Sequence, residues 1–476
     1  MKRLTSLLMI TVMILSAALL SSCGSEEPEA EETLASKIED KAMAYKTDLE
    51  DSMSTLTDNS RVQKYLVNWA ESKSVQVEQD AYGNVIMSTE ASPSYEEAPP
   101  TVVVCQYDAS GTYGITDYIP AMASGLYLAK NAVELGELTV IFAPETQRDF
   151  SGISKVNSKY FPDDANVFCL NPGDSQMWSF NSGSRSLYRF TGNAAYTKPS
   201  GSIAYTVTIQ GLPGGIPDTR ISGYPNPIKE LGNLLATLKT NAVIFELSDI
   251  NGGSSASLYP ESASATLVID SNYVEKFESS LNSAIEKFNK KYAEDFPLMT
   301  YTFEQTELPS RVFTKDALND FISTLYTIVD GVYLRDSNDD LISITNLGVL
   351  RCADTTWSAS AAANSLTDES LADIDQTYET ICSLADITYK KTGEHAGWTG
   401  DSESDFAKSV AEAFNEYSGA DMTYRNCVAA TSASYVYEKN PSCSIVNVMM
   451  GEGKIERYTG TIVTFMTNLP HAEAAE

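Results

Sequence analysis

Apolar positions along this chain follow two rhythms. From Leu34 to about Met53, and again from Arg61 to Lys73, they recur at helical spacing, and Asp58-Asn59-Ser60 offers capping side chains for the second run. The stretch VQVEQDAYGNVIMST predicts a hairpin turning at Tyr82-Gly83-Asn84. Thr101 to Val104 is a short β-branched run bounded by the prolines of EEAPP, the pattern of a buried parallel strand, and that strand ends in Asp108. A Gly-rich turn then leads to Asp117, which opens a helical pattern through Met122, Leu126 and Leu128. Further buried strands are predicted from Leu138 and over Asn166 to Asn171. Strands alternating with helices in this way argue a parallel or mixed sheet with helices on both faces.

After Arg185 the pattern changes to two successive blocks. The first has a strand from Ser202 to Gln210, a helix from Pro227 to Thr240 and two short strands ending at Asp270. The second has a helix from Tyr273 to Tyr292, a strand from Leu298 to Glu304, a helix from Lys315 to Ile328, and strands over Ile342 to Leu350 and Ser358 to Ala363. A helix from Asp368 to Ala385 closes it. Beyond His395-Ala396-Gly397-Trp398 come a helix from Ser402 to Tyr417, strands at Asn426 to Ala429 and Ser444 to Met449, and a last helix from Ile462.

The N-terminus changes the picture of where the chain works. Met-Lys-Arg followed by an apolar run to Leu20 reads as a signal peptide, and Leu20-Ser21-Ser22-Cys23 as a lipobox with lipidation at Cys23. The acidic SEEPEAEE then reads as a spacer lifting the domain off the bilayer. The expected location is the cell envelope, at the outer membrane through this lipid anchor. Loss of Lys2 and Arg3 with the signal would take the formal charge from −31 to −33, which repels phosphate backbones and excludes nucleic acid as a partner. A mature chain of roughly 450 residues calls for two domains. The six cysteines beyond Cys23 form no C-x-x-C pair, so no zinc ribbon is indicated and buried thiols are the favoured reading.

Gln106-Tyr107-Asp108 followed by Asp117 resembles the His-x-Asp and bridging-Asp segment of the M20 co-catalytic metallopeptidases, in the Xaa-His dipeptidase branch. Asp-Ala-Tyr-Gly-Asn-Val-Ile at 80–86, Asp330-Gly331-Val332, Asn346-Leu347-Gly348-Val349-Leu350 and the turn at Trp398 extend the resemblance over nearly the whole mature chain. It implies an α/β fold in which a mixed-sheet, zinc-peptidase-like catalytic domain carries an inserted, doubled α+β lid. The domains are then signal 1–22, lipidated acidic linker 23–37, catalytic-like part 38–185, lid 186–393 and second catalytic-like part 394–470. Relatives that dimerise through the lid make a homodimer an expectation.

The same resemblance implies two zinc ions held by paired histidines and acids, with a glutamate as general base. Carried over position by position, the first histidine falls at Gln106, the aspartate that orients it at Asp108 and the bridging carboxylate at Asp117. The Glu-Glu pair falls at Thr146-Gln147, with Glu145 one residue away as the candidate base. The next ligand, an aspartate, is Asn171. The lid histidine is Ile216 in Gly214-Gly215-Ile216-Pro217-Asp218, and the lid arginine is Glu261 in Ser257-Leu258-Tyr259-Pro260-Glu261. The late glutamate is Ser432, and the last histidine has no counterpart near 451–455. Only two histidines, His395 and His471, exist in the chain. Imidazole is the usual zinc ligand, so no cofactor is expected. Asp108 and Asp117 are read as remnants, or else, with Glu145 and Asp174, as a remodelled site for one divalent metal ion. Met177, Trp178 and Phe180 either line a pocket or belong to the core.

Two functions follow. The favoured one is a non-catalytic, membrane-tethered homologue whose interdomain cleft binds a peptide, an amino-acid derivative or a partner protein. The alternative is a residual metal-dependent dipeptidase or amidohydrolase. No nucleophile elbow, phosphate loop or dinucleotide fingerprint competes with them.

Overall fold

A computed structural model describes residues 34–471 apart from 111–114, 133, 174–175, 218–222, 386, 452 and 454. The signal peptide, Cys23, the acidic spacer and Asp174 lie outside the described residues. Helix α1 (Leu34–Ser52) begins within the stretch 23–37 assigned to the linker and buries Ile38, Ala42 and Leu49. In α2 (Asn59–Ser72) the Asp58 side chain accepts the Arg61 N–H, the cap that its sequence promised. Strands β1 (Gln76–Gln79) and β2 (Val85–Thr89) form the hairpin, with Gly83 at φ +93° in the turn.

Then follow β3 (Thr101–Tyr107), α3 (Ile119–Asn131), β4 (Leu138–Pro144), the short α4 (Ser151–Lys155), β5 (Asn166–Pro172) and β6 (Gln176–Ser179). Every residue of β3, β4 and β5 is buried, as expected of strands covered on both faces.

The chain then builds a second sheet. Its elements are β7 (Ser184–Asn193), β8 (Ile203–Gln210), α5 (Pro227–Thr240), β9 (Phe245–Gly253), β10 (Ala263–Ile269), α6 (Val274–Tyr292), β11 (Thr300–Thr306), α7 (Lys315–Thr327), β12 (Gly331–Arg335), β13 (Leu341–Cys352), β14 (Thr356–Ser365), α8 (Asp368–Leu384) and β15 (Thr388–His395). The two blocks share one antiparallel sheet ordered β11-β8-β10-β9-β13-β14-β7-β15, with β12 beside β13. Its apolar core is separate from that of the first sheet.

The chain returns through α9 (Asp405–Ser418), α10 (Ser432–Lys439), β16 (Ser444–Met450) and α11 (Ile455–Thr467). Strand β16 slots between β5 and β6, giving the first sheet the order β1-β2-β4-β3-β5-β16-β6. Its centre is parallel and its flanks antiparallel, so the fold is the mixed-sheet α/β unit with an inserted α+β unit that the resemblance implied. Helices α1, α3, α9 and α11 pack together over it.

Two details differ from the sequence reading. No strand forms over 426–429, because that segment hands its backbone bonds to the crossing between the two sheets. The Cys427 N–H donates to Asn181 Oδ1 at 2.7 Å, and Ala429 O accepts from Gly183 N at 3.1 Å. The last helix starts at Ile455, a full turn and more before Ile462, because Ile455, Tyr458 and Thr459 continue its buried face.

Candidate functional site

Strands β3 and β4 run parallel in register, Gln106 opposite Ala143 and Tyr107 opposite Pro144, so their C-terminal ends deliver Gln106 and Glu145 to one place. Gln106 Nε2 donates to Glu145 Oε2 at 2.6 Å. The Tyr118 hydroxyl, carried by the turn before α3, donates to Glu145 Oε1 at 2.7 Å. Arg148 completes the group, with Nη1 2.9 Å from Glu145 Oε1 and 3.3 Å from Gln106 Oε1, and Nη2 donating to the Ala430 carbonyl at 2.9 Å. Glu145 is 0% and Arg148 2% exposed, so this is a buried ion pair with its remaining positions filled by hydrogen bonds. Burial lifts the Glu145 carboxyl above its ordinary range, and the Arg148 charge with the bonds from Tyr118 and Arg148 pulls against that lift. Burial opposes the Arg148 charge in turn, and Glu145 and Tyr118 outweigh it.

Gln147, Arg148 and Phe150 have φ of +51°, +67° and +55°, left-handed backbone at three non-glycine positions within four residues. Such conformations persist where surrounding contacts over-determine them. Here the Gln147 N–H donates to Asp108 Oδ2 at 2.7 Å, and Thr146 N and Ser151 N both donate to Asp149 Oδ1. The bend turns Glu145 and Arg148 inward and leaves Thr146 exposed. Glu145, rather than Thr146-Gln147, therefore faces Gln106.

The donor set for a metal ion is spent. Asp108 accepts from Ser110 N at 2.8 Å, Ser110 Oγ at 2.6 Å and Gln147 N. Asn171 Nδ2 donates to Cys169 O and Asn447 Oδ1, while its Oδ1 accepts from Ser432 N at 3.0 Å and Ser432 Oγ at 3.1 Å. Asp117 sits on an exposed turn, with its neighbour Tyr118 directed into the site instead. The grouping of Asp108, Asp117 and Glu145 around one cation is not what the described residues form: among them, no three His, Cys, Asp or Glu side chains converge to hold a metal. With a guanidinium already paired to Glu145, the described residues at this strand end do not fit a divalent ion.

Beside Arg148 stands a second buried cation. Arg185, at the start of β7, donates to the Arg148 carbonyl at 2.6 Å and to Ser257 Oγ at 3.4 Å, joining the bent loop to the lid segment Ser257–Glu261. Phe150 packs under both guanidinium groups, at 4.7 and 5.1 Å from its centroid, and stacks on His395, which stacks on Tyr435. His395 Nε2 is hydrogen-bonded to Ser434 Oγ. Burial, with the charges of Arg185 and Arg148, pushes the His395 imidazole down to about 3, so it is neutral and a poor base.

Above the strand ends, Ile216 and Leu258 of the lid meet Met177 and Met449 of the first sheet, with Cys427 and Ala429, in one buried apolar cluster. Gly214 and Gly215, at φ +70° and +105°, bend the chain so that Ile216 enters it. Trp178 and Phe180 belong to the core, packed on Phe414, Tyr458, Phe406 and Tyr424.

Sequence reasoning did not single out Arg148, Arg185 or Tyr118. The available signal was an arginine in TQRDF immediately after a strand with no exposed position, since a charge that close to a parallel core needs a buried partner.

No family model matches the chain. The cytosol non-specific dipeptidase of Escherichia coli (strain K12) is 23% identical over 387 residues, 74% of this chain and 79% of that protein. The crystal structure of the aminoacylhistidine dipeptidase from Vibrio alginolyticus superposes with a TM-score of 0.59 at 17% identity, covering 94% of this chain and 99% of the other, and shows the fold.

Proposed function

The chain belongs to the M20 peptidase family, in its Xaa-His dipeptidase-like branch, and from that premise we propose that it is a non-catalytic homologue that binds rather than cleaves. The observation that carries this reading is the Arg148 guanidinium bonded to Glu145 and Gln106, where the resemblance calls for metal ions. A hydrolase of this type needs bound metal cations with an open coordination position, which polarise a carbonyl and acidify a water. A tethered guanidinium, fully enclosed, supplies charge balance without an open coordination position. The ligand of the interdomain cleft is a peptide, an amino-acid derivative or a partner protein, admitted when Ile216 and Leu258 lift from Met177 and Met449. Anchoring through Cys23 in the outer membrane, and a homodimer, complete the proposal.

The second reading, a metal-dependent dipeptidase, is favoured by the activities that the relatives' names state. It requires Arg148 to vacate the site. The experiment is to load the purified protein with zinc or manganese, then follow dipeptide hydrolysis and the unfolding temperature together. The expected result is no hydrolysis above background and no metal-dependent shift. Metal-stimulated turnover would overturn the non-catalytic reading.

A further inference from the structure

A cavity of about 490 Å³ opens in the lid, well within the size range of small-molecule sites. It lies between the first turn of α5, the C-terminal end of α6 and the start of β12. Its walls carry both signs of charge and an aromatic face: Lys229, Glu230, Phe288, Tyr292, Asp330 and Arg335. The floor is bare backbone, because Gly331 has φ +96° and nothing within 4 Å of where a side chain would begin.

The charges inside are held, and they are of unequal availability. Lys229 Nζ donates to the carbonyls of Leu325, Tyr326 and Ile328 at 2.9, 2.8 and 2.7 Å, which uses all three of its donors. The hydrogen bonds that Asp330 accepts from Asn226 Nδ2 at 2.8 Å and from Leu347 N at 2.7 Å both fall on Oδ1. Burial raises the Asp330 carboxyl to about 6 and also raises that of Glu230, so neither acid is fully compensated. Tyr301, 4% exposed and within reach of the Glu230 charge, has a hydroxyl without a hydrogen-bond partner. Arg335 spends one nitrogen on the Asp339 carbonyl at 2.7 Å and lies 3.8 Å from that carboxylate, keeping donors for the cavity mouth.

We propose that this cavity is a second ligand site, distinct from the cleft, that takes a zwitterionic amino acid or short peptide with an apolar side chain. The ammonium faces Asp330 and Glu230, the carboxylate faces Arg335, and the side chain lies on Phe288 and Tyr292. A ligand carrying one charge of each sign leaves the cavity's own balance unchanged, which a lone amine or a lone acid does not. This inference does not rest on the cleft reading.

The test is isothermal titration of the intact protein with L-phenylalanine and the dipeptide Phe-Gly, alongside N-acetylphenylalanine, phenylalaninamide and putrescine. The expected result is saturable binding of the zwitterions, weakened about tenfold or more in the blocked analogues and in Glu230→Gln and Arg335→Met, both near the surface of the lid. No binding of either zwitterion up to about 10 mM would overturn the proposal. So would binding of putrescine alone. Binding that survives both lid substitutions and disappears in Ile216→Trp would place the ligand in the cleft and overturn it equally.

Discussion

Replacing Arg148 by methionine isolates the charge on which the site turns. The substitution keeps an unbranched side chain in the same space and removes the bonds to Glu145, Gln106 and Ala430. An uncompensated buried carboxylate costs about 3–5 kcal/mol when its partner is deleted. Glu145 has a cheaper escape, which is to bind a proton. Its ordinary value is 4.5, so holding that proton at pH 7 costs about 3.4 kcal/mol, 1.36 for each of about 2.5 pH units. The two figures agree, and the second carries a signature. In the variant the folded state keeps a proton that the unfolded chain releases above pH 4.5. Stability relative to the native protein therefore falls by about 1.4 kcal/mol per unit as pH rises above the native carboxyl's own, raised value, until the variant's folded carboxyl ionises. Below that value the gap shrinks to the lost hydrogen bonds. Urea unfolding of both proteins at several pH values between 5 and 8 measures it, and the Glu145→Gln/Arg148→Met double variant must lose the slope. A pH-independent gap, or a slope that persists in the double variant, would refute the pairing as the organising charge.

Three further outcomes follow from the same contacts. His395, pushed down to about 3 by burial and by Arg185 and Arg148, is protonated in the unfolded chain below its ordinary 6.5 but not in the folded one. Its contribution is thus complete above pH 6.5 and is lost by about 1.4 kcal/mol per unit on acidification towards 3, a slope that His395→Gln should remove in the same unfolding series. At the crossing between the sheets, a Cβ on Gly183 would stand 1.9 Å from the Val428 carbonyl, whereas one on Gly223 meets nothing within 4 Å. Gly183→Ala should cost about 1–3 kcal/mol in urea unfolding and Gly223→Ala less than about 0.5. Ile216→Ala, which hollows the apolar cluster closing the cleft, should cost about 2 kcal/mol or more and raise hydrogen exchange in the 255–259 segment before the rest of the lid.

The fold was legible because its signals are local and periodic. The runs at Thr101, Leu138 and Asn166 are mostly apolar because their strands are covered on both faces, and Asp58 and Gly83 do at α2 and the first hairpin what their chemistry predicts. The 426–429 segment misled because Asn-Cys-Val-Ala carries a short apolar run, while its hydrogen bonds are settled by Asn181 and Gly183, more than 240 residues earlier in the chain. The site was half legible. Gln106, Asn171 and Ser432 stand where the resemblance expects metal ligands, but the partner that joins Gln106 there, Arg148, did not declare itself. Arg148 looks like any loop arginine until the left-handed turn at 147–150 folds it under β3. Asp117 entered the site reading through the resemblance; it lies exposed, and the residue sent inward beside it is the uncharged Tyr118.

The substitutions make physical sense as a set. A two-metal site gathers several carboxylates because the ions carry their charge, and stripping the ions alone would leave those anions buried and unpaid at the ends of β3, β4 and β5. Against the resembled pattern, Asn171 and Ser432 have shed negative charge while keeping hydrogen-bonding shape, and they now bond to each other. Gln106 serves the remaining acid twice, donating to Glu145 with its amide nitrogen and receiving Arg148 on its oxygen. The acids buried at this strand end, Glu145 and Asp108, are matched in number by the buried Arg148 and Arg185. Charge balance at this strand end is therefore covalent, and restoring histidine at Gln106 alone would break the bond to Glu145 without evicting the guanidinium. Recovery of metal binding should require Arg148 to be removed in the same protein as ligands are returned at Gln106 and Asn171. Zinc uptake measured for the single Gln106→His variant and for the combined Gln106→His/Arg148→Ala/Asn171→Asp variant tests that order, and stoichiometric zinc in the single variant would show that the arginine is not what bars the ion.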